Sequence, residues 1–226
     1  MAESHHRVAN TLALVAALVS LQAREAAQRN QPLSPTEAAR LLSDVGRRIE
    51  IAGRLHRLLS TENEDRVEFA SFARDIAAGL VSSLAVEDRL DLTILPTDAC
   101  WLDPAKALSM GLVLGELVTN AIKYAHPAGV AGTIDVRCGR TGAMAVVEVA
   151  DDGVGLPEGF DWRSEGNVGL RFVRSTAEQL GGTLEFEDRG GFGLLCRLTA
   201  PLADNPGNTR PPDSRAGQSA AADSPE

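Results

Sequence analysis

The stretch that most constrains the fold is Gly115–His126, GELVTNAIKYAH. It reads as one amphipathic helix. Leu112, Leu117, Ala121 and Ile122 give it an apolar face that must be covered. Glu116, Asn120 and Lys123 recur at three- and four-residue steps and share the other face. A carboxylate, a carboxamide and an ammonium on one stripe suit a magnesium-phosphate group, with oxygen ligands for a hard cation and a point charge for an anion. The competing reading is a solvated polar face. Two further stretches, Asp151–Gly155 (DDGVG) and Gly166–Leu170 (GNVGL), weigh against it.

Composition narrows the function classes. The chain has 226 residues, room for one large domain or two small ones, and 44% hydrophobic content, enough for a core. Its net charge of −9 carries no basic footprint for nucleic acid. Cys100, Cys138 and Cys196 are odd in number and far apart, which fits neither a zinc site nor a disulfide framework and points to a reducing compartment. The most apolar early run, Thr11–Leu21, is too short to span a bilayer. Glu3 precedes it and no small-residue cleavage site follows, against a signal peptide. The expectation is a cytoplasmic protein with no membrane segment and no nucleic-acid partner.

The first helix is expected over about Glu3–Arg29, with Val8, Leu12, Val15 and Val19 at heptad-like spacing. His6 falls on the opposite side, exposed, with Asn10 one turn on and Glu3 one turn back. After a break at Asn30–Leu33, Ser34-Pro35-Thr36-Glu37 opens a second helix. Serine caps, proline fits the first turn, and the glutamate completes a capping box. Leu41, Val45, Ile49, Ala52, Leu55 and Leu59 form its stripe. The two helices make an antiparallel hairpin whose apolar stripe a two-fold copy would bury as a four-helix bundle, a homodimer through residues 3–59. The alternative is a monomer that folds the hairpin back on the rest of the chain.

Thr61–Asp65 is polar and marks the domain boundary: a hairpin over 1–61, then a second domain over 66–202. There the pattern predicts a helix over Val67–Leu84, a strand at Leu90–Leu95, and a helix over Ala105–Ala125 begun by Asp103-Pro104. Strands follow at Gly132–Gly139 and Ala143–Ala150, then a helix at Leu170–Leu180 and strands at Thr183–Asp188 and Gly193–Leu198. The fold class is α+β, a helical hairpin followed by an α/β sandwich with a mixed sheet. Residues 203–226 lack an apolar period and read as a disordered tail.

Asp151-x-Gly153-x-Gly155 follows a buried strand. Its glycines let the backbone approach a flat ligand, and a carboxylate at the mouth can accept a hydrogen bond from an exocyclic amine such as that of adenine. A plain Asp-Gly turn is the alternative. Gly166-x-x-Gly169-Leu170 leads into a helix N-terminus, whose free N–H groups and positive dipole end favour phosphate.

Taken together, ELVTNAIKYA, DDGVG and GNVGLRFVRSTAEQLGG resemble the N, G1 and G2 boxes of the GHKL ATP-binding fold shared by histidine kinases, gyrase B, Hsp90 and MutL. Glu3–Leu12, ESHHRVANTL, resembles the phosphoacceptor box of the HWE and second histidine-kinase dimerisation family, E-x-x-H-R-V-K-N-x-L. The resemblance covers about residues 3–202. It implies an ATP-dependent protein-histidine kinase of two-component signalling with His6 as phosphoacceptor, being the histidine followed by Arg-Val, and with Asn10 and Glu3 beside it. It further implies Asn120 as magnesium ligand and Glu116 as a second ligand or the group that orients or deprotonates the reacting centre. Lys123 would touch phosphate, Asp151 would bind the adenine amine, and Gly153 and Gly155 would shape the pocket. Gly166, Gly169 and Leu170 would form the lid. The implied cofactors are ATP and Mg2+, and the implied partner is a response-regulator receiver.

Three departures bear on this. Ala9 replaces the lysine usual three residues after the phosphoacceptor, removing a positive charge. Gly193 stands where a threonine often precedes the final strand, so a hydroxyl near adenine is missing and weaker ATP binding is expected. No sensor domain is expected before His6, and the signal is then expected from a separate sensor protein unless the chain is not a sensor. The alternatives are a kinase-like histidine phosphotransferase that relays phosphoryl groups without ATP, and an anti-sigma-type serine kinase or binding module. The intact Asn120, Asp151, Gly153 and Gly155 count against the first, and the histidine-bearing hairpin counts against the second.

Overall fold

A reciprocal capping box starts the first helix described here. The Glu37 amide donates to Ser34 Oγ at 3.2 Å, and the Ser34 amide donates to Glu37 Oε2 at 2.9 Å. The structure is a computed structural model describing residues 34–62, 66–84, 88–95, 97–126, 130–190 and 192–202, with isolated positions among the first 27. The expectations for the His6 helix and for the tail over 203–226 lie outside the described residues.

Helix α1, Pro35–Glu62, is followed by strand β1, Val67–Glu68, and helix α2, Phe69–Leu84. The expected helix start at Val67 gives way to a short strand. Val67 and Glu68 pair antiparallel with β3, Trp101–Leu102, which lies 33 or more residues later and has no local sequence signal. The Glu68 carboxylate then accepts from the Ala70 and Ser71 amides, closing the N-terminus of α2. Strand β2 spans Leu90–Leu95. Helix α3, Pro104–Asn120, is capped by Asp103, whose side chain accepts from the Lys106 amide.

Strands β4 (Gly132–Thr141) and β5 (Met144–Asp151), helix α4 (Val168–Gln179), and strands β6 (Thr183–Asp188) and β7 (Leu194–Pro201) complete the order. The main sheet runs β2-β4-β5-β7-β6. Only β2–β4 is parallel, with Leu90 opposite Gly132, so the sheet is mixed as expected. Its inner face presents Ile134, Val136, Cys138, Val147 and Leu198 to Phe69, Phe72 and Ile76 of α2 and Val113 and Leu117 of α3. Its outer face is solvated and carries the Arg197–Glu148 ion pair at 2.6 Å, with Glu185 and Arg137 alongside. Pro104–Ala125 is long and apolar enough to cross a membrane, but most of it is buried in this core.

The stripe expected on α1 divides. Ala52 and Leu55 are buried with Ile51 in the same core as α2 and α3, while Ile49 is exposed, as is Leu42 outside the stripe. Helix α1 thus uses one side against α3 and α2, and heptad spacing alone could not tell that side from the outward one. The three cysteines are buried, and none of them forms a disulfide.

Candidate nucleotide site

A cavity of about 640 Å³ opens between α3, the end of β5, the loop leading to α4, and β7. That volume suits a small organic ligand. Its wall is mainly apolar, from Leu117, Ala121, Val149, Leu156, Phe160, Leu170 and Phe186, with Asn120 and Asp151 as polar groups on the helix and strand sides. The sequence-predicted residues that meet there are Asn120, Asp151, Gly155, Gly166 and Leu170.

Asp151 ends β5 and is buried. Oδ1 accepts from the Gly153 amide at 3.0 Å and the Leu194 amide at 3.2 Å, while Oδ2 takes no hydrogen bond from the described residues. Burial pushes its carboxyl up, and the two backbone N–H groups oppose that shift. The result is an acceptor oxygen held at the edge of an apolar cavity, which is the chemistry an aromatic amine requires. Cys196 shares the wall. Burial, and then the Asp151 charge, push its thiol up, so it presents an uncharged surface.

Two glycines make this geometry. A Cβ on Gly153 would overlap the Ala125 carbonyl oxygen, to which the next residue's amide, Val154 N–H, donates at 2.9 Å. Gly193 has φ of +106° and sits against the Asp151 carbonyl, where a side chain would overlap backbone. The position read as a lost threonine is therefore one where this backbone admits no side chain. The Gly193 turn brings Leu194 N–H to Asp151. Gly153→Ala is expected to strain the backbone by about 1–3 kcal/mol and weaken nucleotide binding at least tenfold. Calorimetric titration with a non-hydrolysable ATP analogue, beside a thermal melt, checks this; wild-type affinity would show that the Ala125 contact yields freely.

The polar stripe of the opening motif is taken apart by the structure. Helix α3 passes at Ala121–Ala125 into a π turn, a wider winding that ends one-face periodicity. Asn120 lies at the cavity. Lys123 turns outward, partly exposed, 3.7 Å from Asp44 of α1. Glu116 is 4% exposed and is not solvated. Its Oε1 accepts from Arg48 Nε at 3.0 Å, with Arg47 Nη2 at 3.7 Å. Gly169 stands beside Glu116 Oε2 rather than on the cavity wall. The solvated-face alternative fails for Glu116, and so does an open ligand position for it in this arrangement.

The lid side is set locally. Asn167 caps α4 by accepting from the Leu170 amide at 2.8 Å. Arg174 Nη1 donates to the carbonyls of Trp162 and Glu165, tying the preceding loop to α4. Trp162 stacks on Phe186 with centroids 4.6 Å apart.

Sequence reasoning missed the residues that brace the site. His126, which closes the opening motif, pairs through Nε2 with Asp152 Oδ1 at 2.7 Å, and the same oxygen accepts from the Thr133 amide. Burial alone would raise the Asp152 carboxyl, but the Thr133 N–H and the His126 ring together hold it below the usual carboxylate range. Arg47 and Arg48 were likewise unmarked, since nothing in a helix stripe announces a partner 68 residues away. His6, Asn10 and Glu3 lie outside the described residues. Among the described residues no cluster of His, Cys, Asp and Glu could hold a metal by itself.

Comparison with known proteins gives two family matches: a "Histidine kinase" family over residues 3–84, and the "Histidine kinase-, DNA gyrase B-, and HSP90-like ATPase" family over residues 105–204. Sensor histidine kinase PdtaS of Mycobacterium tuberculosis is 34% identical over 202 residues, covering 88% of this chain and 39% of PdtaS. Blue-light-activated histidine kinase 2 of Erythrobacter litoralis is 28% identical over 213 residues, covering 90% of this chain and 57% of its own. The chain thus spans under two thirds of the length of these relatives. Among solved structures, the histidine kinase domain of the Erythrobacter litoralis EL346 blue-light activated kinase aligns with a TM-score of 0.68 at 25% identity, over 89% of this chain and 92% of that one.

Proposed function

The chain belongs to the histidine kinases of the HWE and second histidine-kinase dimerisation family with a GHKL-type ATP-binding domain, and from that membership we propose that it autophosphorylates His6 with ATP and passes the phosphoryl group to an aspartate of a response-regulator receiver. The observation that carries the reading is Asp151 Oδ2, which takes no hydrogen bond from the described residues and belongs to the wall of a cavity of about 640 Å³ that Asn120 also lines.

Asp151 accepts the adenine amine, and the apolar wall takes the ring. Asn120 is the residue to hold magnesium, whose charge offsets that of the phosphates when it is bound. Gly166 and Leu170, on the cavity wall at the head of α4, would face the phosphates, and Gly169 would join them only by parting from Glu116 Oε2. Lys123, on the outward side of the π turn, would reach phosphate only by leaving Asp44. The neutral His6 imidazole attacks the γ-phosphorus. A nitrogen–phosphorus bond forms, the bond to the β–γ bridging oxygen breaks, and ADP leaves. The imidazole proton passes to a carboxylate, Glu116 or Glu3, and Asn10 is the further residue of the phosphoacceptor box assigned to this step. Residues 1–61 serve as the phosphotransfer and dimerisation hairpin, 66–202 as the catalytic domain, and 203–226 as a tail. Dimerisation through residues 3–59 would cover the exposed Leu42 and Ile49. The need for ATP and a receiver argues for a cytoplasmic site of action.

The test is transfer of radiolabelled γ-phosphate from Mg-ATP to the purified protein, with His6→Ala and Asn120→Ala in parallel. The expected label is acid-labile, base-stable and lost in both variants. No label from ATP, with uptake at His6 from a phosphorylated receiver, would replace the kinase by a phosphotransferase.

A further inference from the structure

Arg48 is the most buried charged side chain described, at 3% exposed, and it belongs to α1 rather than to the catalytic domain. Its Nε donates to Glu116 Oε1 at 3.0 Å, and its guanidinium carbon lies 4.5 Å from the centre of the Phe172 ring, in the second turn of α4. Glu116 Oε2 reaches the first turn of the same helix: a Cβ added to Gly169 would collide with it. A carboxylate there meets the positive end of the α4 dipole. One side chain from the hairpin thus touches both the acidic group of α3 and the helix that closes the nucleotide cavity.

The contact belongs to a chain of alternating charge. Lys123 faces Asp44, Asp44 pairs with Arg47 Nη2 at 2.7 Å, and Arg47 and Arg48 both face Glu116. Three cations and two anions leave it one positive charge in excess. Arg48 Nη1 and Nη2 and Arg47 Nε are buried with no hydrogen-bond partner among the described residues. Buried guanidinium nitrogens without acceptors are costly, so packing alone does not account for an arginine here, and an apolar side chain would fill the space at less cost. What an apolar residue cannot do is fix the direction of the Glu116 carboxylate.

We propose that Arg48 is a positioning residue for phosphotransfer: it holds the Glu116 carboxylate at the head of α4 and makes that setting depend on how the phosphoacceptor hairpin sits. The inference rests on the reading of Glu116 as the group that orients or deprotonates the reacting centre. Under the proposed reading α1 belongs to the hairpin that also carries His6, so displacement of α1 withdraws Arg48 from Glu116 and from Phe172 together. Hairpin placement and lid placement are then one variable rather than two. Arg48 itself touches neither acceptor nor nucleotide.

The test uses the full chain as wild type, Arg48→Gln, Arg48→Lys, Glu116→Gln and the double variant Arg48→Gln/Glu116→Gln, with autophosphorylation rates measured against ATP concentration. Arg48→Gln is expected to lower kcat by roughly 10- to 100-fold, the scale of a misplaced catalytic group. KM for ATP should hold within about twofold, since the contact is not part of ground-state binding. The double variant should be no slower than Glu116→Gln alone, because a residue acting through another adds nothing once that other is gone. Arg48→Lys, whose ammonium cannot serve both the carboxylate and the ring, should show a smaller kcat loss at the same KM, and it carries the test if the glutamine variant does not fold. An unchanged or raised kcat in a folded Arg48 variant, or a double variant slower in proportion to both changes, overturns the proposal while leaving Glu116 in place. A wild-type rate in Glu116→Gln removes the reading of Glu116 itself, and the proposal with it.

Discussion

Asp151→Asn is expected to weaken nucleotide binding by roughly five- to 150-fold while leaving the protein folded. Oδ1 already serves two backbone donors, Gly153 N–H and Leu194 N–H, and asparagine can keep both through its carbonyl oxygen. Its amide nitrogen then replaces Oδ2, so a donor meets the donor of the adenine amine. Leaving such a group unpaired costs about 1–3 kcal/mol, or roughly five- to 150-fold in affinity.

Stability should move the other way. Burial raises the Asp151 carboxyl in the folded protein, so the ionised form penalises the fold. The penalty is full above the folded value and fades as pH falls through it, vanishing below the unfolded value of about 3.9. The asparagine variant should therefore match or exceed wild-type stability near neutrality and lose that advantage towards about pH 4. Thermal melts at the two pH values, with calorimetric titration of an ATP analogue, measure both effects. A variant that binds nucleotide as wild type does would remove Asp151 from the adenine site. A variant less stable at neutrality would mean that the two backbone bonds need the charge.

The second large effect lies in the core. Phe72 of α2 is 1% exposed, and its ring edge and the Ile76 side chain fill the space where a Cβ on Gly111 of α3 would stand. That close seat fixes α3, and with it Asn120, over the sheet. Phe72→Ala leaves a cavity between two helices that the sheet prevents from closing, and should cost about 3–5 kcal/mol. For a chain of this size that lowers the melting temperature by roughly 6–20 °C. Nucleotide affinity of the folded fraction should change far less, because no atom of Phe72 lines the cavity. A loss under about 1 kcal/mol would show that α1 and α2 repack on α3 with little penalty.

Both predictions depend on features of unequal legibility in the sequence. The capping box at Ser34 and Glu37, the Asp103 cap with Pro104, and the bounds of β2 could be read directly, because each is decided within a few residues. So could the cavity's principal residues. Asp151 ends a buried strand, Gly166 and Asn167 precede a helix, and Asn120 follows a helical period, so local order carries Asn120, Asp151, Gly155, Gly166 and Leu170 to one place once the fold is known.

What tertiary structure decided is of another kind. Glu116, Asn120 and Lys123 share a helical face on paper, yet they end in a buried ion pair, a cavity wall and a partly exposed pair. The π turn shifts Lys123 alone, and the partners that draw off Glu116 and Lys123, Arg48 and Asp44, come from a helix about 70 residues earlier. Val67–Glu68 became a strand because Trp101–Leu102 was there to pair with it. Gly193 proved necessary because the Asp151 carbonyl occupies the place of its side chain. The sequence determined the main helices and the strands of the large sheet, since caps and periodicity act over one or two turns. Which polar groups stay available for chemistry was settled only when distant helices met, because burial and ion pairing depend on the neighbour that arrives and not on the residue's own segment.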